Sequence, residues 1–143
     1  MIFREIFRYF LVMERPLAHQ FNKVIGSLDL TMAQWKTLDF IEKSGTCALV
    51  EISRHLSIRK PPVTMMIDSL EQKRFVEQIP GKDRREKRVR LTDLGREVYG
   101  ACRTAIDEIE HHLLNGLSDE EQEILLRALT TVWSNLKSGG RSK

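Results

Sequence analysis

Apolar side chains recur every three or four residues through the first 28 positions: Ile2, Ile6, Phe10, Met13, Leu17, Phe21, Val24 and Leu28, with Phe3 and Phe7 widening the stripe. That period predicts a long amphipathic helix or a pair of helices, and Pro16, which lacks a backbone donor, predicts a kink or a restart within it. So broad an apolar face near a terminus must be covered. The pattern leaves two covers open, the rest of the same domain or a second copy of the chain. Thr31 and Gln34 stand in capping-box spacing, ahead of a helix carrying Trp35, Leu38, Phe40 and Ile41 that Gly45 should end. Residues 46 to 49 make a short bridge compatible with extended backbone. Residues 51 to 56 read as a two-turn helix with Val50, Ile52 and Leu56 inward and Arg54 outward.

From position 59 the pattern changes twice. Val63, Met66, Ile67 and Leu70 share one helical face, while Pro61, Thr64, Met65, Asp68 and Gln72 cluster on the opposite one, where they are free to touch a partner. Pro61 and Pro62 fall in the first turn, which has no intrahelical donor to lose. Residues 75 to 79 and 87 to 91 are strand-like, with Val89 and Leu91 on one face and Arg88 and Arg90 on the other. Pro80 and Gly81 begin the turn between them, and Lys82, Asp83, Arg84 and Arg85 fill the loop. Thr92 caps a helix running through Val98, Ala101, Ala105, Ile109, Leu113 and Leu114. Ser118 and Glu121 form a second capping box; the last helix carries Ile124, Leu125, Ala128, Leu129, Val132, Trp133 and Leu136, stops before residues 138 to 140, and leaves a frayed end.

Two short helices joined by about four residues and followed by a basic hairpin predict a winged helix-turn-helix. The expected fold is mainly α with a small β-hairpin wing. It is one domain over residues 1–143, with a winged-helix lobe at about 30–92 flanked by long helices at about 1–28 and 93–137.

Charge sharpens this picture. The net charge is only +3, but residues 54 to 90 hold 11 Lys/Arg against 5 Asp/Glu, while residues 104 to 136 hold 1 against 7. One region is suited to meet an anion and the other to avoid one. With 41% apolar and 30% charged residues, the chain has the make-up of an ordinary soluble protein. Cys47 and Cys102 are too few and too far apart for a disulfide framework or a metal-ligand spacing, and they fit packing in a reducing cytosol. Arg4, Glu5 and Arg8 interrupt the apolar N-terminus, which argues against a signal peptide, and no apolar run approaches the ~20 residues that span a bilayer. A cytoplasmic location with no membrane partner is expected. There is no phosphate-cradling glycine loop, no G-x-S-x-G and no H-E-x-x-H, so neither an enzyme nor a cofactor is expected.

The order of these elements, with D-R-R-E-K-R-V-R-L-T-D-L-G at residues 83 to 95, resembles the MarR family of bacterial winged-helix transcriptional regulators. The most specific matches are Asp83, Arg85, Val89, Leu91, Thr92 and Gly95 in the wing, and Lys60, Pro61, Val63 and Thr64 at the start of the recognition helix. The resemblance implies a homodimer joined through the first and last helices, bound as a repressor to a pseudo-palindromic operator on double-stranded DNA. It implies that Asp83 orients the wing, that Arg85 enters the minor groove with Arg84 on phosphate nearby, and that Lys60 and Thr64 lie in the major groove. Arg54, Arg59 and Lys82 add charge around these residues, for contacts that weaken with salt.

The sequence departs from the family pattern at two places. Met65 stands where members often carry Arg, and a thioether cannot make a bidentate contact to guanine, which leaves thymine methyl contact or wing shape-readout. Arg74 stands where members place Gly after the recognition helix, so a left-handed cap costs more there and a different ending is expected. Asp68 faces the groove; it either meets a cytosine N4 or a lysine, or stays a solvated acid beside the groove.

The resemblance also raises sensing. Members that bind small phenolic or carboxylate effectors do so between the dimer helices and the DNA-binding lobe, where His19, Phe21, Trp35, Tyr99 and Arg103 are candidates for lining a pocket for a small aromatic or carboxylate effector. Glu108, His111 and His112 are spaced so that the acid could share a metal with one histidine, although adjacent histidines point about 100° apart. Members that sense oxidants use a cysteine in the first helix, and this first helix has none. Two alternatives to an effector-released repressor are a zinc-type metal-responsive regulator of the same fold and a protein-interaction module without DNA binding.

Overall fold

The computed structural model describes residues 1–83 and 85–139, with the Lys60 side chain outside that description. Among these residues the order is α1 (Ile2–Ser27), α2 (Met32–Ser44), β1 (Cys47–Ala48), α3 (Leu49–Leu56), α4 (Lys60–Gln72), β2 (Val76–Pro80), β3 (Lys87–Leu91), α5 (Asp93–Leu113) and α6 (Asp119–Gly139). They fall into two compact units, Met1–Asp107 and a second beginning at Glu108. The fold is mainly helical with a small antiparallel sheet.

α1 continues through Pro16 as one helix and does not restart there. The proline deletes one donor of the ladder, and the turns on either side keep theirs. Only its C-terminal end reaches the core, where Ile25 is buried; Ile2, Phe3, Ile6, Phe7, Met13 and Leu17 are exposed.

The core of the first unit gathers Trp35, Leu38 and Ile41 of α2, Ile52 of α3, Val63, Ile67 and Leu70 of α4, Val76, Val89 and Leu91 of the sheet, and Cys102 and Ile106 of α5. Both halves of the first capping box form: Gln34 donates its backbone N–H to Thr31 Oγ1 at 3.1 Å, and Thr31 N–H donates to Gln34 Oε1 at 3.0 Å. Gly45 ends α2 with φ 81°, a conformation that suits glycine.

The sheet has three strands in the order β1-β3-β2, not the two of a bare hairpin. Cys47 pairs with Val89 and Ala48 with Arg88, covering the edge of β3 that would otherwise expose its backbone groups. α3 starts at Leu49, two residues earlier than expected, because Ala48 N–H donates to Glu51 Oε1 at 2.8 Å. Leu49 and Ile52 then turn inward and Leu56 is half-buried, whereas Val50, expected inward, is 50% exposed. A residue one step from Leu49 lies about 100° round the helix.

α4 ends against expectation in a Schellman motif with arginine in the glycine position. Phe75 N–H donates to Leu70 O at 3.0 Å, Arg74 N–H to Glu71 O at 2.9 Å, and Arg74 takes φ 65°. The next joint locks that ending in place. Thr92 Oγ1 accepts from Gly95 N–H at 2.9 Å and donates to Arg74 O at 2.6 Å, while Thr92 N–H donates to Phe75 O at 3.1 Å. The wing root, the end of α4 and the start of α5 are thus tied through one threonine.

In the second unit, Glu121 N–H donates to Ser118 Oγ at 3.1 Å and Ser118 N–H to Glu121 Oε1 at 2.9 Å. α6 runs to Gly139, past the expected stop before residue 138, and the Ser138 hydroxyl donates to Ser134 O at 2.8 Å. The expected frayed end at 140–143 lies outside the described residues.

Candidate nucleic-acid interface

The inward face of α4 is buried at Val63, Ile67 and Leu70, which leaves Pro61, Thr64, Met65, Asp68 and Gln72 exposed along the other side, Met65 by 73%. The wing beside it is closed by its own backbone. Gly81 N–H donates to Glu86 O at 3.1 Å and Glu86 N–H to Asp83 O at 2.9 Å. A Cβ at Gly81 would stand 2.8 Å from Glu86 O, so the strands meet there only because the residue is glycine. Asp83 Oδ1 accepts from Arg85 N–H at 3.3 Å, an Asx turn that sets the direction in which the chain leaves the tip. Lys82, Asp83 and Arg85 are exposed. Arg84 lies outside the described residues, as does the side chain of Lys60.

A cleft of about 360 Å³ separates helix from wing, with Thr64 and Asp68 on one wall, Gln78, Arg85 and Lys87 on the other, and Val50 of α3 at the edge. Sequence reasoning missed Lys87 and Val50. Lys87 has the strand parity of the buried Val89, but it begins the strand beyond the core, so parity alone concealed its exposure. Val50 was concealed by the displaced start of α3.

Two further wing arginines, Arg88 and Arg90, have partners of their own. Arg88 donates to Thr46 Oγ1 at 3.2 Å, Thr46 O at 3.1 Å and Glu86 Oε1 at 2.7 Å, with Glu51 at 3.5 Å. Arg90 meets Glu77 across the strands at 2.7 Å. Arg54 and Arg59, at the two ends of the α3–α4 connection, are exposed. Arg54, Arg59, Lys82 and Arg85 are thus exposed near α4 and the wing tip, while Arg88 and the exposed Arg90 tie the strands to acidic partners.

Of the candidate effector residues, Trp35, Tyr99 and Arg103 come together. The two rings stack at 5.1 Å and the Arg103 guanidinium lies 5.7 Å from the Trp35 ring. Tyr99 OH donates to Asp39 Oδ1 at 2.8 Å, and Lys43 meets Asp39 at 2.9 Å. Burial alone would raise the Asp39 carboxyl, but the hydrogen bonds from Lys43 and Tyr99 outweigh it and hold the group below its ordinary value. Burial and the Asp39 partner push the Tyr99 phenol up to about 12. Phe21 is half-buried against the core, and His19 is exposed on α1.

Among the described residues no group of three His, Cys, Asp or Glu side chains is placed to hold a metal, so Glu108, His111 and His112 are not brought into such a group. Cys47 and Cys102 are buried free thiols, each pushed up to about 11 mainly by burial; groups so protonated are poor nucleophiles. No helix among the described residues is long and apolar enough to cross a membrane.

Residues 30–87, from the start of α2 through the wing tip, match the model of the MarR family. The chain is 30% identical over 109 residues to YwoH, an uncharacterized HTH-type transcriptional regulator of Bacillus subtilis (strain 168), covering 76% of this chain and 80% of that one. It is also 30% identical over 112 residues to the HTH-type transcriptional regulator BilQ of Clostridioides difficile (strain CD3), covering 78% and 76%. Its fold superposes with a TM-score of 0.75 on a mutant MarR from E. coli complexed with operator DNA, at 28% identity, covering 92% of this chain and 98% of that one.

Proposed function

The chain belongs to the MarR family of DNA-binding transcriptional regulators, and we propose that it acts as a homodimeric repressor on a pseudo-palindromic operator. Each protomer lays α4 in the major groove and reaches the adjacent minor groove with the wing. The observation that carries this reading is the cleft shared by the outward face of α4 and the exposed Arg85 of the wing tip, because one duplex can then engage both. Thr64 and Lys60 meet the major groove, Asp83 sets the wing, Arg85 enters the minor groove, and Arg54, Arg59, Lys82 and Arg84 contact phosphates.

Two exposed apolar faces support the homodimer. α1 leaves Phe7 54% exposed within a stripe of like residues, and α6 leaves Trp133 57% exposed on one face with Leu126 and Leu136. Such faces are covered at a gain of roughly 25 cal/mol per Å² buried, and two-fold pairing would set a fixed spacing between the two recognition helices. Release by a small aromatic carboxylate, which would have to displace Asp107 from Arg103 (2.9 Å), is supported by the grouping of the half-buried Tyr99 and the Arg103 guanidinium beside the buried Trp35.

Selection of genomic fragments by the purified protein tests the reading. It should enrich sites with two-fold symmetry, with affinity falling steeply as salt rises. Enrichment of no sequence over bulk DNA would overturn it. Salicylate or benzoate added to the enriched complex should lower affinity in wild type and not in Arg103→Ala; no change with either probe removes the effector.

A further inference from the structure

We propose that α4 reads a thymine methyl through Met65 and, one or two base pairs away, a cytosine amino group through Asp68. The inference rests on placing α4 in the major groove. Met65 is the most exposed large apolar residue of the helix, at 73%, and its two neighbours on that face, Pro61 and Thr64, carry no guanidinium or amide. A thioether neither donates nor accepts strongly, so what it can gain from a base edge is burial against the one apolar group the major groove presents, the C5-methyl of thymine.

Asp68 follows three residues later, about 4.5 Å along the helix axis, which is close to the roughly 3.4 Å spacing of stacked bases. It is exposed on the same face, and no hydrogen bond or ion pair to a described residue engages its carboxylate. A carboxylate only accepts hydrogen bonds. Guanine shows two acceptors in the groove, adenine sets an acceptor beside its amino group and thymine shows an acceptor. Cytosine alone offers a donor with no acceptor of its own alongside. Asp68 therefore favours cytosine, is opposed by guanine and thymine, and meets adenine less well because N7 lies beside the donor; its charge also weakens binding to unmatched DNA by repelling phosphate. Exposed cations at Arg54, Arg59, Lys82 and Arg85 frame this face and supply the attraction that lets an acid sit among phosphates.

The test uses the full-length protein and duplexes selected by it from a random pool. The selected half-site should contain a T and a C within two positions of each other. Replacing that thymine by uracil removes only the methyl and should weaken wild type about fourfold, the factor expected for one buried methyl group, while Met65→Ala should bind both duplexes alike. Replacing the cytosine by thymine should weaken wild type about tenfold, and Asp68→Asn should shift the preferred base there to adenine. Both positions are exposed, so thermal unfolding should confirm that the variants fold as wild type. Equal uracil penalties in wild type and Met65→Ala, or an unchanged preference in Asp68→Asn, overturn the inference while leaving DNA binding intact. Failure to bind any duplex overturns the placement of α4 as well.

Discussion

Gly95→Ala should destabilise the winged-helix lobe by about 2 kcal/mol, although it introduces the best helix former into a helix. A Cβ at position 95 would stand 1.9 Å from the Phe75 carbonyl oxygen and 2.9 Å from its carbon, where ordinary contact begins at 3.4 Å. Phe75 cannot simply retreat. Its N–H closes the Schellman motif on Leu70 O, and its carbonyl accepts from Thr92 N–H at 3.1 Å. A displacement large enough to clear the methyl breaks that bond, at about 1 kcal/mol, and strains packing by roughly 1–3 kcal/mol. The helix propensity of alanine over glycine returns about 1 kcal/mol at most. Gly100 in the same helix is the internal control: it is exposed, and nothing lies within 4 Å of its Cβ position, so Gly100→Ala should stabilise by about 0.5–1 kcal/mol. Urea unfolding followed by circular dichroism, at one fixed protein concentration, measures both. If Gly95→Ala proves as benign as Gly100→Ala, the close approach at Phe75 does not govern the joint between wing and α5.

Further outcomes are expected. Arg74→Gly should stabilise by about 0.5 kcal/mol in the same assay, since relief of the left-handed cost at φ 65° exceeds the added freedom of the unfolded chain; a loss would mean that the arginine side chain contributes there. Arg85→Ala should leave unfolding unchanged but weaken operator binding and reduce the slope of log affinity against log salt by about 1, and a mutant binding as tightly as wild type would exclude the wing from the interface. Stability should fall as pH rises from 10 towards about 12, because the fold keeps Tyr99 protonated where the unfolded chain loses the proton, and Tyr99→Phe should remove that limb. On the acid side stability should fall below pH 3.8 as Asp39 protonates through its lowered value. Removing residues 1–15 should yield monomers or insoluble protein by light scattering, and an intact soluble dimer would exclude the α1 face from dimerisation.

Much of the candidate interface was legible in the sequence because it depends on short-range patterns. The inward residues of α4 repeat at three- and four-residue steps, so Thr64, Met65 and Asp68 are outward by subtraction. The string from Asp83 to Gly95 carries a turn, a strand and a cap in thirteen adjacent positions. Both capping boxes are side-chain to backbone contacts spanning three residues, and both form. Local periodicity and local hydrogen bonding thus determined the helices, the wing, the outward face and the family resemblance.

What the sequence could not hold were the contacts between distant segments. Two residues, Cys47 and Ala48, are too few to show alternation, and they become a strand only because β3 offers an edge. Arg88 looks like any other basic wing residue until Thr46, 42 positions away, takes its guanidinium. Arg74 reads as a poor cap, yet Thr92 grips its carbonyl and the fold bears the left-handed strain. Tyr99 and Asp39, 60 residues apart, form a hydrogen bond that no spacing announces. In each case the energy comes from a partner supplied by folding, so the choice between a cation that braces the wing and one left facing solvent was made by tertiary structure alone.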